Sequence, residues 1–232
     1  MKIVVLNGTE FKGVTYRIKE FFVSELREGN EIVEFSFPTD LPHFCRGCKT
    51  CFFKGESLCP DAQYVMPVWE AMLSADLIVL SYPVYALRMT AQLKCLLDHL
   101  CVHWMVHRPD ERLFSKRAVI LTNSIGAPNG AAQRDGKTSL LWLGVSDTKT
   151  LGCGLMEGVL WQELSEKRRA AIERKTRAFA RRYRHVTPAR ESLLHHILFA
   201  VCRTLHQITA EKENPPSLDN QYWIDRGWIQ KP

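Results

Sequence analysis

Four cysteines lie close together in the first third of the chain. Cys45, Cys48, Cys51 and Cys59 follow the spacing C-x2-C-x2-C-x7-C. Three thiolates at this pitch can surround a [4Fe–4S] cube, with a fourth supplied nearby. Zinc sites more often draw on two separated pairs of ligands, so the spacing fits zinc less well. The pattern therefore predicts a cluster site, with zinc and a metal-free loop as alternatives.

A second group of residues suits an anion. The apolar run Ile3–Leu6 is followed by Gly8, a short polar loop, and a helical pattern that opens at Gly13. Free backbone N–H groups and the helix dipole favour a phosphate at such a helix start. The spacing resembles a nucleoside-triphosphate loop, but Val14 stands where that loop needs Lys. The side chains that add donors are Thr9, Lys12 and Thr15. The loop predicts a terminal monophosphate, and the alternative is an ordinary strand–turn–helix capped by Thr.

Two further loops follow apolar runs. The segment 82–89 follows Leu77–Ser81, and the segment 123–130 follows Ala118–Thr122. A rigid proline and an aromatic ring, Pro83 and Tyr85 in the first of these loops, can flank a planar ligand. Because the carboxyl ends of parallel strands meet at one edge of a sheet, we expect all three loops to converge. The sequence predicts one loop for phosphate and two for a ring system.

The elements that position these loops alternate along the chain. The predicted strands are Ile3–Leu6, Ile32–Phe37, Leu77–Ser81, Ala118–Thr122 and Thr148–Cys153. The predicted helices are Thr15–Arg27, Pro67–Ser74, Thr90–Cys101, Ala131–Leu143 and Glu163–Arg184. Pro67 is placed at a helix start, where its missing N–H has no cost. The alternation predicts an α/β fold with a parallel sheet covered on both faces.

Composition narrows the class of protein. The 232 residues are 46% hydrophobic and 24% charged, which is typical of a globular protein. We find no apolar run of the roughly 18 residues needed to span a membrane. Met1 leads directly into a strand, so no signal peptide is expected, and the eight cysteines predict reduced thiols or metal ligands in the cytoplasm.

Charge is concentrated in one segment. The net charge is +6, and ten Lys and Arg residues lie between Glu166 and Arg190. This segment is interpreted as the solvated face of the last core helix, since no aromatic platform for nucleic acid accompanies it. The alternative is a binding module that docks on an acidic partner, a membrane surface or nucleic acid.

A predicted boundary at Thr187-Pro188 divides the chain into a main domain, residues 1–186, and an extension, residues 187–232. The extension begins with an apolar stripe at helical spacing, which favours core or dimer packing over a membrane surface. The stripe consists of Leu193, Leu194, Ile197, Leu198, Val201, Cys202 and Leu205. A polar tail with Tyr222, Trp223 and Trp228 is expected to follow.

Four segments carry a resemblance to a known family. They are NGTEFKGVT, CRGCKTCFFKGESLCPD, YPVYALRMTAQLKCLLDH and the tail YWIDRGW. Over roughly Met1 to Arg184 the chain resembles the flavodoxin-like NAD(P)H-dependent FMN reductases, and its cysteines resemble those of the iron–sulfur flavoprotein branch. The resemblance implies a flavodoxin-like doubly wound sheet of order 2-1-3-4-5, bound FMN, NAD(P)H as electron donor, and a homodimer.

Site residues carried over by position form two groups. The phosphate group is Thr9, Lys12, Gly13, Val14 and Thr15. The isoalloxazine group is Pro83, Val84, Tyr85, Ala86 and Leu87, with Asn123, Ser124 and Gly126. No catalytic side chain is implied, since hydride passes from nicotinamide to the flavin and onward to a small-molecule or protein acceptor. A non-catalytic electron carrier that exchanges electrons only with partner proteins is the alternative.

The remaining metal-ligating residue types are given structural interpretations. Cys95, Cys101, Cys153 and Cys202 are interpreted as small buried hydrophobes. His99, His103 and His107 are four residues apart, so they share one face if their helix continues. Metal ligation by these histidines is not favoured, because no carboxylate or Cys accompanies them at the right spacing.

Overall fold

A computed structural model describes residues 1–155 and 160–231. Within these ranges, five parallel strands form one sheet in the order β2-β1-β3-β4-β5. The strands are β1 Lys2–Asn7, β2 Glu31–Ser36, β3 Leu77–Pro83, β4 Arg117–Ile125 and β5 Asp147–Leu155. The predicted strand order is confirmed, and every predicted strand is present with its ends shifted by a few residues.

The register of the sheet aligns the strand ends that carry the predicted site. Asn7 of β1 lies opposite Ser81 of β3, and Pro83 of β3 lies opposite Asn123 of β4. All seven residues of β3 are buried, as expected for a central strand with helices on both faces. The last residues of β1, β3 and β4 therefore share one edge of the sheet.

Eight α-helices lie in the described ranges. They are α1 Val14–Ser24, α2 Thr50–Lys54, α3 Ala62–Ser74, α4 Ala91–His99, α5 Gly130–Trp142, α6 Glu166–Ala180, α7 Leu193–Ala210 and α8 Leu218–Asp225. Helices α1 and α6 pack on one face of the sheet through residues such as Ile18 and Ile172. Helices α3, α4 and α5 cover the other face, with Met72, Leu96 and Leu140 in their core.

The prediction that Pro67 starts a helix is wrong. Helix α3 already begins at Ala62, which places Pro67 inside it. Pro67 lacks the N–H that would donate to the carbonyl of Gln63. Both residues are exposed, so water can satisfy that carbonyl and the helix continues through the proline.

The predicted polar tail is also wrong. Residues of the tail form α8, and Trp223 is fully buried in a third hydrophobic cluster that includes Met105 and Cys202. The indole of Trp223 donates to the carbonyl of His107 at 2.6 Å, and the Tyr222 hydroxyl donates to the carbonyl of Pro109 at 2.6 Å. A hydrogen-bonded indole can be buried completely, and the tail thereby packs on the main domain.

Helix α7 presents most of its predicted stripe outward. Leu193, Leu194, Ile197, Val201 and Leu205 are each at least half exposed. The inward face instead carries His195, Cys202 and His206. His206 is satisfied there, because its Nδ1 contacts the Asn220 side-chain oxygen at 2.7 Å and its Nε2 contacts the Val106 carbonyl at 3.2 Å. Two polar contacts thus hold His206 inside, on a helix where the apolar pattern alone predicts leucines.

The basic segment is partly neutralised by one acidic residue of helix α1's C-terminus. The Glu25 carboxylate accepts hydrogen bonds from Arg177, Arg181 and Arg184. Its pKa is lowered, chiefly by the hydrogen bond from Arg181. Three of the basic side chains therefore tie α6 and the residues after it to α1. Among the described residues, no helix is both long and apolar enough to cross a membrane.

Candidate functional site

The loop after β1 leads into the bare N-terminus of α1. Helix α1 begins at Val14 with Gly13 as its N-cap, and no described side chain caps it. The alternative of a Thr-capped turn is therefore wrong. Its first backbone N–H groups remain available to an anion, and its first turn carries no acidic residue.

Three of the predicted phosphate residues line one cavity of about 520 Å³. They are Thr9, Lys12 and Thr15. The side chain of Val14 is buried in the core below, so Val14 can offer only its backbone N–H. Gly13 is buried beside the Phe11 ring, which a Cβ at Gly13 would approach to 2.6 Å.

Acidic residues also line this cavity, and each has a partner. The Glu10 carboxylate accepts from the Thr39 N–H at 2.9 Å, and hydrogen bonding by the Thr39 side chain, followed by this N–H, lowers the pKa of Glu10. Glu34 accepts from the buried Lys19 ammonium at 2.8 Å. Burial alone would lower the pKa of Lys19, but its ion pairs with Glu20 and Glu34 outweigh burial and the net shift is upward. The acidic groups are thus held by hydrogen bonds or a cation.

The loop after β3 forms a tight hairpin turn. The backbones of Tyr85 and Arg88 exchange two hydrogen bonds, of 3.1 and 2.9 Å. Ala86 and Leu87 between them have φ of 47° and 66°. This left-handed conformation is unfavourable for residues with a Cβ and is found most often at functional sites. The turn exposes the Tyr85 ring and the Leu87 side chain at the strand edge.

A second cavity, of about 260 Å³, lies between this turn and the end of β4. Of the eight predicted isoalloxazine residues, seven line it: Pro83, Val84, Tyr85, Ala86, Leu87, Asn123 and Ser124. Gly126 does not, and its N–H donates to the Leu155 carbonyl at 2.9 Å. Ile125 and Ala127 line the cavity in its place.

One hydrogen bond joins the two cavities. The Thr15 hydroxyl, in the first cavity, donates to the side-chain oxygen of Asn123, in the second. The two cavities are therefore neighbours at the sheet edge, an arrangement that suits a ligand with a phosphate at one end and a flat ring at the other. These residues fit FMN: bare helix N–H groups and hydroxyls suit its phosphate, and an apolar turn with polar strand-end groups suits its ring.

The cysteine loop, residues 45–59, lies apart from these strand ends. Cys45 and Cys48 are exposed, whereas Cys51 and Cys59 are half-buried. All four line a cavity of about 230 Å³, several times the ~30 Å³ share of one water. A fifth thiol, Cys101, lines the same cavity. The interpretation of Cys101 as a buried hydrophobe is wrong, because the chain turns after α4 and brings it to the cysteines.

The thiols of the loop differ in acidity. Burial, together with the neighbouring Cys59 and Cys101, raises the pKa of Cys51 to about 11. The hydrogen bond between the Cys48 thiol and the Thr50 hydroxyl lowers the pKa of Cys48. A metal ion or cluster that binds all four thiolates must displace a proton from Cys51, so assembly there releases protons and is favoured by higher pH.

The spacing of ligand atoms argues for a polynuclear group. The one set of three metal-ligating atoms within 4.8 Å of one another among the described residues comes from Cys59, Asp61 and His99. In a tetrahedral zinc site with 2.3 Å bonds, sulfurs lie about 3.8 Å apart. No three sulfurs of the four cysteines lie within 4.8 Å of one another, so these thiols are not arranged for a single ion, and four thiols are the donor set that holds an iron–sulfur cube.

A buried arginine ties the cysteine loop to the rest of the molecule. The guanidinium of Arg108 donates to the Cys51 carbonyl, to the Glu56 carboxylate at 2.9 Å, and to the Asp219 carboxylate in α8. The Arg108 side chain is 5% exposed. Sequence reasoning missed Arg108 because its partners lie 52 to 111 residues away.

The three evenly spaced histidines do not converge. Helix α4 ends at His99, and the following 3₁₀ turn sends the side chains in different directions. His99 contacts the His43 carbonyl at 3.2 Å, and His107 contacts Asp219 at 2.8 Å. His103 stacks on Trp69 with ring centroids 3.9 Å apart, and burial lowers its pKa to about 4. The three histidines therefore share no common site, but the expectation that no cysteine or carboxylate accompanies them is wrong for His99, whose ring lies within 4.8 Å of ligand atoms of Cys59 and Asp61.

Comparisons with known proteins agree with this geometry. The sequence model of the NADPH-dependent FMN reductase family matches residues 1–151. The chain is 24% identical to an iron–sulfur flavoprotein of Archaeoglobus fulgidus, over 99% of this chain and 100% of that protein.

Two solved structures share the fold. One is an FMN-dependent NADH-azoreductase of Bacillus anthracis in complex with FMN, with a TM-score of 0.59 and 13% identity over 80% of this chain and 100% of that chain. The other is an NAD(P)H:quinone oxidoreductase of Methanothermobacter marburgensis, with a TM-score of 0.60 and 18% identity over 80% of this chain and 98% of that chain.

Proposed function

The chain belongs to the NADPH-dependent FMN reductase family and is an oxidoreductase, and we propose that it moves electrons from NAD(P)H through FMN held at the sheet edge to a small-molecule or protein acceptor. The observation that carries this proposal is the pair of cavities joined by the Thr15–Asn123 hydrogen bond. They offer phosphate donors at one end and a ring-sized apolar turn at the other.

The chain's own groups bind and orient the flavin. Thr9, Lys12 and the first N–H groups of α1 hold the phosphate. The turn at Ala86-Leu87 positions the ring, while Asn123 and Ser124 offer polar groups to its edge. When bound, FMN accepts a hydride from nicotinamide and releases electrons singly or in pairs. Because the flavin performs this chemistry, no side-chain nucleophile is required.

The second part of the proposal concerns the cysteine loop. Cys45, Cys48, Cys51 and Cys59 would hold a [4Fe–4S] cluster, which would supply single-electron chemistry to the protein. The wide spacing of the thiols supports this assignment, as does the likeness to a protein named iron–sulfur flavoprotein. With such a cluster, the protein serves as an electron carrier between partner proteins as well as an NAD(P)H oxidoreductase. We also propose that the exposed stripe of α7 packs on a second copy of the chain, forming a homodimer in the cytoplasm.

A test of the flavin site begins with protein purified without oxygen. We expect flavin absorbance bands, oxidation of NADH or NADPH, and about four irons per chain. Thr15→Val removes the hydroxyl that bonds Asn123 and is expected to weaken FMN binding by up to about tenfold, the upper end of what one neutral hydrogen bond contributes. Flavin fluorescence titration of the apoprotein measures the change.

The matched control is Thr209→Val, which removes a hydroxyl that bonds the Leu205 carbonyl in α7. It should leave FMN affinity unchanged. A folded protein that refuses added FMN would contradict the flavin proposal. A yellow protein without iron, even after anaerobic reconstitution with iron and sulfide, would contradict the cluster assignment alone.

A further inference from the structure

An apolar groove of about 620 Å³ lies between the cysteine loop and the start of α8. One wall is formed by Phe52 and Phe53, and the other by Pro216 and Leu218. Phe53 is 73% exposed and Leu218 is 42% exposed, so the groove opens to solvent. We call it the Phe53 groove. None of these residues lines the two cavities proposed for FMN, at the ends of β1, β3 and β4, which together we call the flavin edge.

Its polar groups are few and lie at the rim. Lys49 and His107 line the groove, as does Ser217. Ser217 caps α8 by accepting from the Asn220 N–H at 3.3 Å, which leaves its hydroxyl proton free to donate. His107 contacts the Asp219 carboxylate through Nδ1 at 2.8 Å, and a carboxylate acceptor requires that Nδ1 carries the proton. The rim therefore combines an ammonium and a hydroxyl as donors with a fixed imidazole.

This chemistry selects a class of ligand. Phosphate-bearing nucleotides need several cationic or backbone donors, whereas this groove offers one cation, Lys49, and the carboxylate of Asp219. A neutral flat ring with carbonyl oxygens fits better: the phenylalanines contact its faces, and the rim donors bond its oxygens.

The position of the groove gives it a role. Phe52 and Lys49 line both the groove and the cysteine cavity, so a ring in the groove lies one side chain from the cysteines. We propose that the Phe53 groove binds a para-quinone as the terminal electron acceptor, separately from the flavin edge. The overall reaction oxidises one NAD(P)H and, with one proton from solvent, reduces the quinone to its hydroquinone. Reduction of the quinone rests on the proposed function, because its electrons come from NAD(P)H through FMN. Binding of the quinone in the Phe53 groove does not depend on that function.

The probe is duroquinone, because its four methyl groups block addition of the cysteine thiols to the ring. Binding to the protein as purified, without NAD(P)H, is followed by the broadening and saturation transfer of the methyl proton signal. We expect Leu218→Trp, which fills the groove, to weaken binding at least tenfold. Phe53→Ser removes one ring face at an exposed position and is expected to weaken it about fivefold. Leu194→Trp, a similar change on the outer stripe of α7, should have no effect.

The outcomes separate the two proposals. Loss of binding in both groove variants, with Leu194→Trp unchanged, supports the quinone site. Equal binding in all variants places duroquinone elsewhere and overturns the proposal, as does absence of binding to the unaltered protein. If the protein binds duroquinone in the groove but takes up no FMN, the proposed function fails while the groove assignment stands.

Discussion

The flavin edge and the cysteine loop are built in different ways. The flavin edge stands on three adjacent strands, in which Asn7, Pro83 and Asn123 are buried and the strand ends are aligned by the sheet register. The only regular structure in the cysteine loop is the five-residue helix α2 and a short 3₁₀ turn. Its four cysteines are exposed or half-buried. Its shape depends on contacts with distant side chains, above all Arg108.

The difference teaches where rigidity comes from in each site. Backbone hydrogen bonds between strands fix the flavin edge, so single side chains there mainly adjust ligand affinity. The cysteine loop has few backbone hydrogen bonds to the sheet, so one buried guanidinium carries much of its placement. A substitution in one site is therefore expected to change ligand binding at that site with little effect on the other site.

The largest expected effect comes from Arg108→Met. Removal of the guanidinium leaves the carboxylates of Glu56 and Asp219 without their cation, at a cost of about 3 kcal/mol in the free energy of unfolding. Iron content should fall severalfold while FMN affinity stays within about twofold. Hydrogen exchange should accelerate at residues 45–59 and in α8, but not in β3.

Arg203→Met is the control for this change, since Arg203 is exposed on α7 and its loss should alter stability by less than about 0.5 kcal/mol. If Arg108→Met weakens FMN binding as strongly as iron retention, the two regions are not independent and the comparison fails.

The corresponding substitution at the flavin edge is Gly8→Ala. An added Cβ would lie 2.6 Å from the Thr90 hydroxyl oxygen and 2.9 Å from the Cβ atoms of Leu93 and Tyr82. We expect a loss of about 1–3 kcal/mol in unfolding free energy and weaker FMN binding, because the strand end must shift. Denaturant titration and flavin binding measure the two effects.

Gly154→Ala provides the comparison within the same sheet. A Cβ at Gly154 meets no described atom within 4 Å, so this change should raise stability by up to about 1 kcal/mol. Equal destabilisation by both substitutions would show that close approach at Gly8 does not shape the flavin edge.

The smallest effect is expected from Leu87→Gly. Glycine relieves the left-handed conformation at φ 66° and should add about 1 kcal/mol to the stability of the apoprotein. Loss of the Leu87 side chain from the ring cavity should weaken FMN binding about fivefold. Leu87→Ala separates the two, since it removes the same contact and keeps the strain. A gain in stability from alanine as large as that from glycine would contradict the strain argument.

The flavin edge was open to prediction because its signals are local. Apolar runs indicate the strands, the resemblance to the FMN reductases implies their order, and the predicted site residues come directly after the runs. Thr9, Lys12 and Thr15 line one cavity at the strand ends and Pro83–Leu87 line the other, while their contacts with FMN stay a prediction. The left-handed turn escaped prediction because neither Ala86 nor Leu87 is a residue that normally signals positive φ.

For the cysteine loop, the sequence predicted which thiols belong to it but not which distant residues contact it. The spacing identifies four of its thiols, but Cys101 and Arg108 reach the loop through the turn after α4, which no periodic pattern indicates. Trp223 was assigned to a polar tail for the same reason, since its burial depends on the backbone carbonyl of His107, 116 residues earlier. Contacts at such separations are decided by tertiary packing, which overrides local composition.

The contact between Arg108 and Asp219 also sets an order of events during synthesis. Asp219 follows Arg108 by 111 residues, which a ribosome adds in roughly 6–22 s at ~5–20 residues per second. All five strands are complete before α8 is made, so the flavin edge can form on a nascent chain whose cysteine loop still lacks its last anchor. If the proposed cluster is assembled at this stage, the loop receives it while still open, and the formation of α8 then closes the loop.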